Sequence, residues 1–135
     1  MKFTITGLNH KTAPVEVRER LAFDASAVAE ALRDLKEREG VSEALVLSTC
    51  NRVEVALVSD DAADARAVVT GLLARSRRME PEPLTAHLYH HEADNAILHL
   101  FRVASSLDSM VVGEPQILGQ LKSAYAMAKA QGAVG

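Results

Sequence analysis

The sequence predicts an α+β fold of the ferredoxin-like type, a βαββαβ antiparallel sheet with helices on one face plus additional C-terminal helices. Three observations lead there. Short β-rich runs and helical stretches follow the order strand, helix, strand, strand, helix, strand, and two more helices come after. Two of the β-rich runs are parted only by Cys50, Asn51 and Arg52, which is hairpin spacing. The 135 residues are 48% hydrophobic and 24% charged, which suits one domain around a single core.

Each element has a local cause. Lys2 to Leu8 reads as a strand because Phe3, Ile5 and Gly7 alternate with Lys2, Thr4 and Thr6. Pro14 opens a short helix, Val15 to Leu21. Asp24 caps a second helix with Val28, Leu32 and Leu35 on one face, closed by Gly40. Ala44 to Thr49 and Val53 to Ser59 form the hairpin-like pair. Asp60 or Asp61 is expected to cap a helix whose stripe is Ala65, Val69, Leu72 and Leu73. His87 to His91 is a short candidate strand. Ala96 to Leu107 is apolar almost all round, which predicts a buried helix. Ser109 to Glu114 reads as a loop, and Pro115 starts a last helix with Ile117, Leu118, Leu121 and Tyr125, ended by Gly132.

Composition narrows the function. No apolar run is long enough for a transmembrane helix, and the N-terminus MKFTITGLNHK lacks the apolar stretch of a signal peptide, so a cytoplasmic protein is expected. One cysteine excludes an internal disulfide and any multi-cysteine zinc site. A net charge of −3 means that the domain does not bind polyanions by overall charge, so a nucleic-acid partner would need a local patch. The seven glycines nowhere spell G-x-G-x-x-G, and Gly113 to Gly119 lacks the Lys and Ser/Thr of a P-loop. No cofactor-binding residue for a dinucleotide is therefore expected in these residues.

Three places could carry chemistry. Cys50 has polar neighbours on both sides, in Ser48-Thr49-Cys50-Asn51-Arg52, and Arg52 is near enough to favour the nucleophilic thiolate. It reads equally as a strand-end cysteine beside a solvated arginine. His99 lies between Leu98 and Leu100, with Arg102 and Ser106 at helical offsets of three and seven. It is either a hydrogen-bonded core residue or a general base. The stretch from Ser105 through Ser109, Gly113, Glu114, Pro115 and Gln116 to Gln120 reads as a capped loop or as a carboxylate-binding helix start. His87, His90 and His91 do not make a metal site, since His90 faces away from the other two on a strand and no third ligand is near.

Three longer segments are similar to one known family. Gly7-Leu8-Asn9-His10-Lys11-Thr12-Ala13-Pro14-Val15-Glu16-Val17-Arg18-Glu19, Leu47-Ser48-Thr49-Cys50-Asn51-Arg52-Val53-Glu54, and the run from Arg102 to Gln120 containing Ser105-Ser106-Leu107-Asp108-Ser109-Met110-Val111-Val112-Gly113-Glu114-Pro115-Gln116 closely resemble the N-terminal domain of glutamyl-tRNA reductase. They stand in the family's order and reach from the start of the chain to near its end. The resemblance implies a ferredoxin-like catalytic domain over residues 1–135, within an enzyme that makes glutamate-1-semialdehyde from glutamyl-tRNA and NADPH, the first committed step toward tetrapyrroles. It implies that Cys50 is the nucleophile and that Thr49, Asn51, Arg52, Ser109, Glu114, Pro115, Gln116 and Gln120 form the glutamate pocket. His99 matches a histidine important for activity.

The same resemblance implies an NADPH-binding domain and a dimerisation domain beyond these residues. It also implies a homodimer and a channelling partner, glutamate-1-semialdehyde aminomutase. The 135 residues alone are expected to perform only acyl transfer or ester hydrolysis. The rival expectation is an RNA-binding ferredoxin-like module without chemistry. Such modules display paired sheet aromatics, and three Phe, two Tyr and no Trp form no such pair here.

Overall fold

A computed structural model describes residues 1–60, 64–104 and 116–134. Its elements run β1 (Lys2–Asn9), α1 (Val15–Leu21), α2 (Ala25–Glu37), β2 (Val41–Ser48), β3 (Arg52–Ser59), α3 (Ala65–Arg77), α4 (Pro81–Thr85), β4 (Tyr89–Glu92), α5 (Asp94–Ala104) and α6 (Gln116–Ala130). The four strands form one sheet in the order β2-β3-β1-β4, antiparallel throughout. Inserting β3 between β1 and β2 is what the ferredoxin-like βαββαβ order demands, so the expected fold is present.

The register assigns the side chains to two faces. Along β1 and β3, Ile5 pairs with Ala56, Gly7 with Glu54 and Asn9 with Arg52. On β4, His91 lies opposite Ile5 and Tyr89 opposite Gly7. Period-two alternation therefore puts Ile5, Gly7, Asn9, Arg52, Glu54, Tyr89 and His91 on one face. The other face presents Leu8, Val46, Val53, Val55 and Leu57 to Leu21, Leu32, Leu35, Val69, Leu73 and Leu84 of α1 to α4, forming the main core. At roughly 1.5–3 kcal/mol for each fully buried aliphatic side chain, this layer supplies most of the driving force for folding.

Several local expectations hold. The Asp24 side chain accepts from the Ala27 N–H at 2.8 Å and starts α2. Gly40 has φ 86° and turns the chain into β2. Gly132, at φ 70°, ends α6 while the Ala133 N–H donates to the Ala128 carbonyl at 2.8 Å.

Others need correction. Asp64, not Asp60 or Asp61, caps α3 by accepting from the Ala67 N–H at 3.2 Å. Helix α4 adds an element to the expected order; Pro81 occupies its start, where the missing N–H costs nothing. Strand β4 begins at Tyr89, so His87 stands outside it, its ring Nδ1 3.1 Å from the Thr12 carbonyl.

Helix α5 is not buried all round. Ala96, His99 and Val103 face inward, while Ile97, Leu98 and Phe101 are exposed, Phe101 by 68%. It lies over the second face of the sheet, where Val103 joins Leu47, Ile117 and Ala124 in a smaller cluster. An apolar composition reveals that a helix can be buried, not how many neighbours it has. The loop Ser109–Glu114 and Pro115 lie outside the described residues.

Candidate active site

The β2–β3 turn is built by Thr49. Its N–H donates to the Arg52 carbonyl at 2.8 Å, closing the hairpin. Its Oγ1 accepts from the N–H groups of Asn51 and Arg52 at 3.1 and 3.2 Å. A threonine hydroxyl satisfying two turn amides makes a compact, defined loop, with Cys50 exposed at its tip.

A second element grips the same turn. The Arg18 Nη1 of α1 donates to the Cys50 carbonyl at 3.0 Å, and its Nε donates to the Ala13 carbonyl at 3.2 Å. Arg18 thereby ties Cys50 to the loop after β1. That loop is folded on Asn9, whose carbonyl accepts from the Thr12 and Ala13 N–H groups at 3.1 and 3.0 Å and whose Oδ1 accepts from Lys11 N–H at 2.9 Å. Asn9-His10-Lys11 thus shapes the loop on which the Cys50 turn rests.

Behind the turn the sheet is polar where a core is expected. Arg52 is 0% exposed, so it is not the solvated arginine that the sequence allowed. Its Nη1 donates to Glu54 Oε1 at 2.7 Å, a pairing made possible because residues two apart on a strand share a face. Glu54 Oε1 also accepts from the Tyr89 hydroxyl at 2.6 Å. Both carboxylate oxygens lie 3.1 Å from His99 Nε2. The His99 ring stacks on His91 at 4.6 Å between centroids, with Tyr89 5.1 Å away.

Glu54 is the charge centre of this cluster. Burial pushes its pKa up, but the hydrogen bond and charge of His99, the charge of Arg52 and the Tyr89 hydroxyl outweigh that and hold it below the ordinary 4.5. An ionised carboxylate only accepts, so His99 Nε2 must carry a proton. A buried carboxylate with this many donors is tolerable; one stripped of them would be costly.

The remaining expected residues separate into two groups. Gln120 lines a cleft of about 540 Å³ between α2, the end of β2 and α6, together with Phe23, Leu47, Ser48 and Ser123. Ser48 is two residues from Cys50, and its Oγ accepts from the Phe23 N–H at 2.9 Å. Asn51 is half-buried in the turn. Ser109, Glu114 and Pro115 lie outside the described residues, and Gln116 begins α6. Toward the opposite edge of the sheet, beside β4, His99 lines a cavity of about 310 Å³ with His91, Asn95, Leu98 and Arg102.

The structure therefore brings Thr49, Cys50, Asn51 and Arg52 together in one turn and joins His99 to it through Glu54. Sequence reasoning missed Arg18, Glu54, Tyr89 and His91. Only Glu54 left a signal, the Arg-x-Glu spacing on a strand. Among the described residues, no group of three His, Cys, Asp or Glu side chains is arranged to hold a metal ion. No helix of the described residues is long and apolar enough to cross a membrane.

Comparison with known proteins matches this arrangement to one family. Residues 6–135 match the family described as glutamyl-tRNAGlu reductase, N-terminal domain. The chain is 61% identical over 134 residues to the glutamyl-tRNA reductase of Solibacter usitatus, covering 99% of this chain and 32% of that protein. It is 50% identical over 135 residues to that of Syntrophotalea carbinolica, covering 100% of this chain and 30% of that protein. The solved structure of the glutamyl-tRNA reductase from Methanopyrus kandleri superposes with a TM-score of 0.78 at 35% identity, covering 98% of this chain and 29% of that one. The chain spans about a third of the length of the curated relatives it matches. This chain belongs to the glutamyl-tRNA reductase N-terminal domain family.

Proposed function

We propose that this chain is the acyl-accepting part of a glutamyl-tRNA reductase, with Cys50 as its nucleophile. The observation that carries the reading is an exposed cysteine at the tip of a turn pinned from both sides, by Thr49 Oγ1 and by Arg18. Catalytic nucleophiles need such placement, reachable by substrate but fixed in direction.

In this reading the Cys50 thiolate attacks the aminoacyl ester carbonyl of glutamyl-tRNA. A carbon–sulfur bond forms as the carbon–oxygen bond to the ribose breaks, and the ribose oxygen leaves as a hydroxyl, taking its proton from His99 or from water. The product is a thioester on Cys50. Its carbonyl is less resonance-stabilised than an ester and accepts hydride more readily, and a thiolate is then expelled more easily than an alkoxide. Cysteine suits both steps; serine suits neither.

Thr49, Asn51, Arg52 and Gln120, with Ser109, Glu114, Pro115 and Gln116, form the glutamate pocket in this proposal. In this proposal Arg52, whose Nη1 donates to Glu54, is the group whose planar guanidinium suits the substrate carboxylate. His99 serves the departing ribose oxygen or positions the substrate.

The described residues do not fit a dinucleotide. Every strand pair is antiparallel, and no glycine-rich turn leads from a strand into a helix. NADPH, the dimer contacts and an aminomutase partner belong in this reading to the part of the reductase outside these 135 residues. A bare RNA-binding module is disfavoured because α5 covers the sheet face that would stack bases, and Tyr89 is engaged by Glu54.

The test is a Cys50→Ser substitution in the full-length reductase. Turnover should fall by at least ~10³-fold, since the thioester can no longer form or be reduced normally. Near-normal turnover would remove the nucleophile assignment.

A further inference from the structure

We propose that Glu54 is the positioning residue of this site: it holds the His99 ring by Nε2–H and confines the exchangeable proton to Nδ1. This inference rests on the roles given above to Cys50 and His99.

The geometry is specific. Both Glu54 oxygens stand 3.1 Å from His99 Nε2, and neither can donate. Oε1 is held in place by Arg52 Nη1 at 2.7 Å and the Tyr89 hydroxyl at 2.6 Å. The His91 ring lies against the His99 ring at 4.6 Å and restricts its tilt. Glu54 is 5% exposed and His99 8%, so water does not compete for the pairing. His99 also lines the cavity beside Arg102, and with Nε2 given to Glu54 its other ring nitrogen is the one left to serve a group bound there.

Two consequences follow for chemistry. With Nε2 always protonated, a neutral His99 presents Nδ1 as an acceptor and a charged one presents Nδ1–H as a donor. Either proton-transfer role then uses a single, fixed atom. Arg52 and His99 also share one anion, so the turn bearing Cys50 and the helix bearing His99 are held in register through Glu54.

A glutamine at this position reverses the logic. Arg52 and Tyr89 both donate to Oε1, so they claim the amide oxygen. The amide NH2 then occupies the Oε2 position and donates toward His99 Nε2, which must become an acceptor. The ring proton moves to Nδ1. A purely structural role for Glu54 would lower stability without switching a tautomer.

The experiment is ¹⁵N NMR of the histidine rings, with acylation of Cys50 by glutamyl-tRNA measured on the same samples. In the unaltered protein, neutral His99 should carry its proton on Nε2. Glu54→Gln should move that proton to Nδ1 and slow acylation about 10–100-fold, by analogy with the loss of a carboxylate partner from a metal-bound histidine, with KM little changed. Glu54→Asp should keep the Nε2 tautomer and recover part of the rate. The inference is overturned by an Nδ1-protonated ring in the unaltered protein, a reading that needs no variant to fold, or by an unswitched ring with full acylation in Glu54→Gln. Absence of acylation in the unaltered protein would count against Cys50, while the NMR still decides whether Glu54 holds the ring. Normal acylation in His99→Asn would likewise overturn a positioning role in acylation.

Discussion

Gly7 lies directly across the β1–β3 ladder from Glu54, so close that a Cβ on Gly7 would stand 2.8 Å from the Glu54 Cα and 2.9 Å from its Cγ. The same Cβ would also press on the Val53 carbonyl. Glycine is needed here for space, not for a left-handed backbone, and the space belongs to the carboxylate that organises Arg52 and His99.

Gly7→Ala is therefore expected to destabilise the fold by about 1–3 kcal/mol, because a methyl group forced into a packed sheet shifts the backbone. Chemical denaturation measures this directly. The same variant should disturb the His99 ring resonances, since the added methyl presses on the Val53 carbonyl and on the Cα and Cγ of Glu54, the partner of that ring. A protein of unchanged stability would mean that the sheet relaxes freely at this pair.

Arg52→Lys is expected to impair the full-length enzyme although the charge is kept. The buried arginine already gives one nitrogen to Glu54 at 2.7 Å. An ammonium group can serve Glu54 or a substrate carboxylate, but it lacks the planar fork needed to reach both in fixed directions. Steady-state kinetics should show a lowered kcat/KM. An unchanged value would place the substrate carboxylate on another group.

Glu54 also gives a pH dependence with a definite sign. Its folded pKa lies below the ordinary 4.5, so the unfolded chain binds its proton more tightly than the folded one. The stability it confers is present above the unfolded value and is lost as pH falls through the lower, folded value. Denaturation midpoints of the unaltered protein should drop on acidification below about 4.5. Those of Glu54→Gln should drop less over the same range. Parallel curves would show that the pairing with His99 and Arg52 does not favour the ionised form.

Much of this architecture was legible in the sequence because it is written in short-range pattern. Alternation in Lys2–Leu8, the three-residue gap at Cys50 and the glycine at 132 report on neighbours in the chain, and the sheet order follows from their succession. What was illegible depends on distant partners. Arg18 reaches the Cys50 carbonyl across 32 residues, and no local spacing announces it. Tyr89 and His91 meet Glu54 and His99 only because β4 pairs with β1 in one particular register. The exposed Ile97, Leu98 and Phe101 were misread because helical apolarity does not say which sides find neighbours. His99 shows how two readings can merge: it is a hydrogen-bonded, buried residue, and that bond is what would aim its other nitrogen.

The most direct test of the central claim is intact-mass spectrometry of this chain after incubation with glutamyl-tRNA, followed by peptide mapping. A single glutamyl adduct is expected on the peptide bearing Cys50, sensitive to hydroxylamine as a thioester is, and absent from Cys50→Ser. Adding NADPH should release no semialdehyde from this chain, and water should slowly free glutamate instead. An adduct that maps elsewhere, or that persists in Cys50→Ser, would contradict the account.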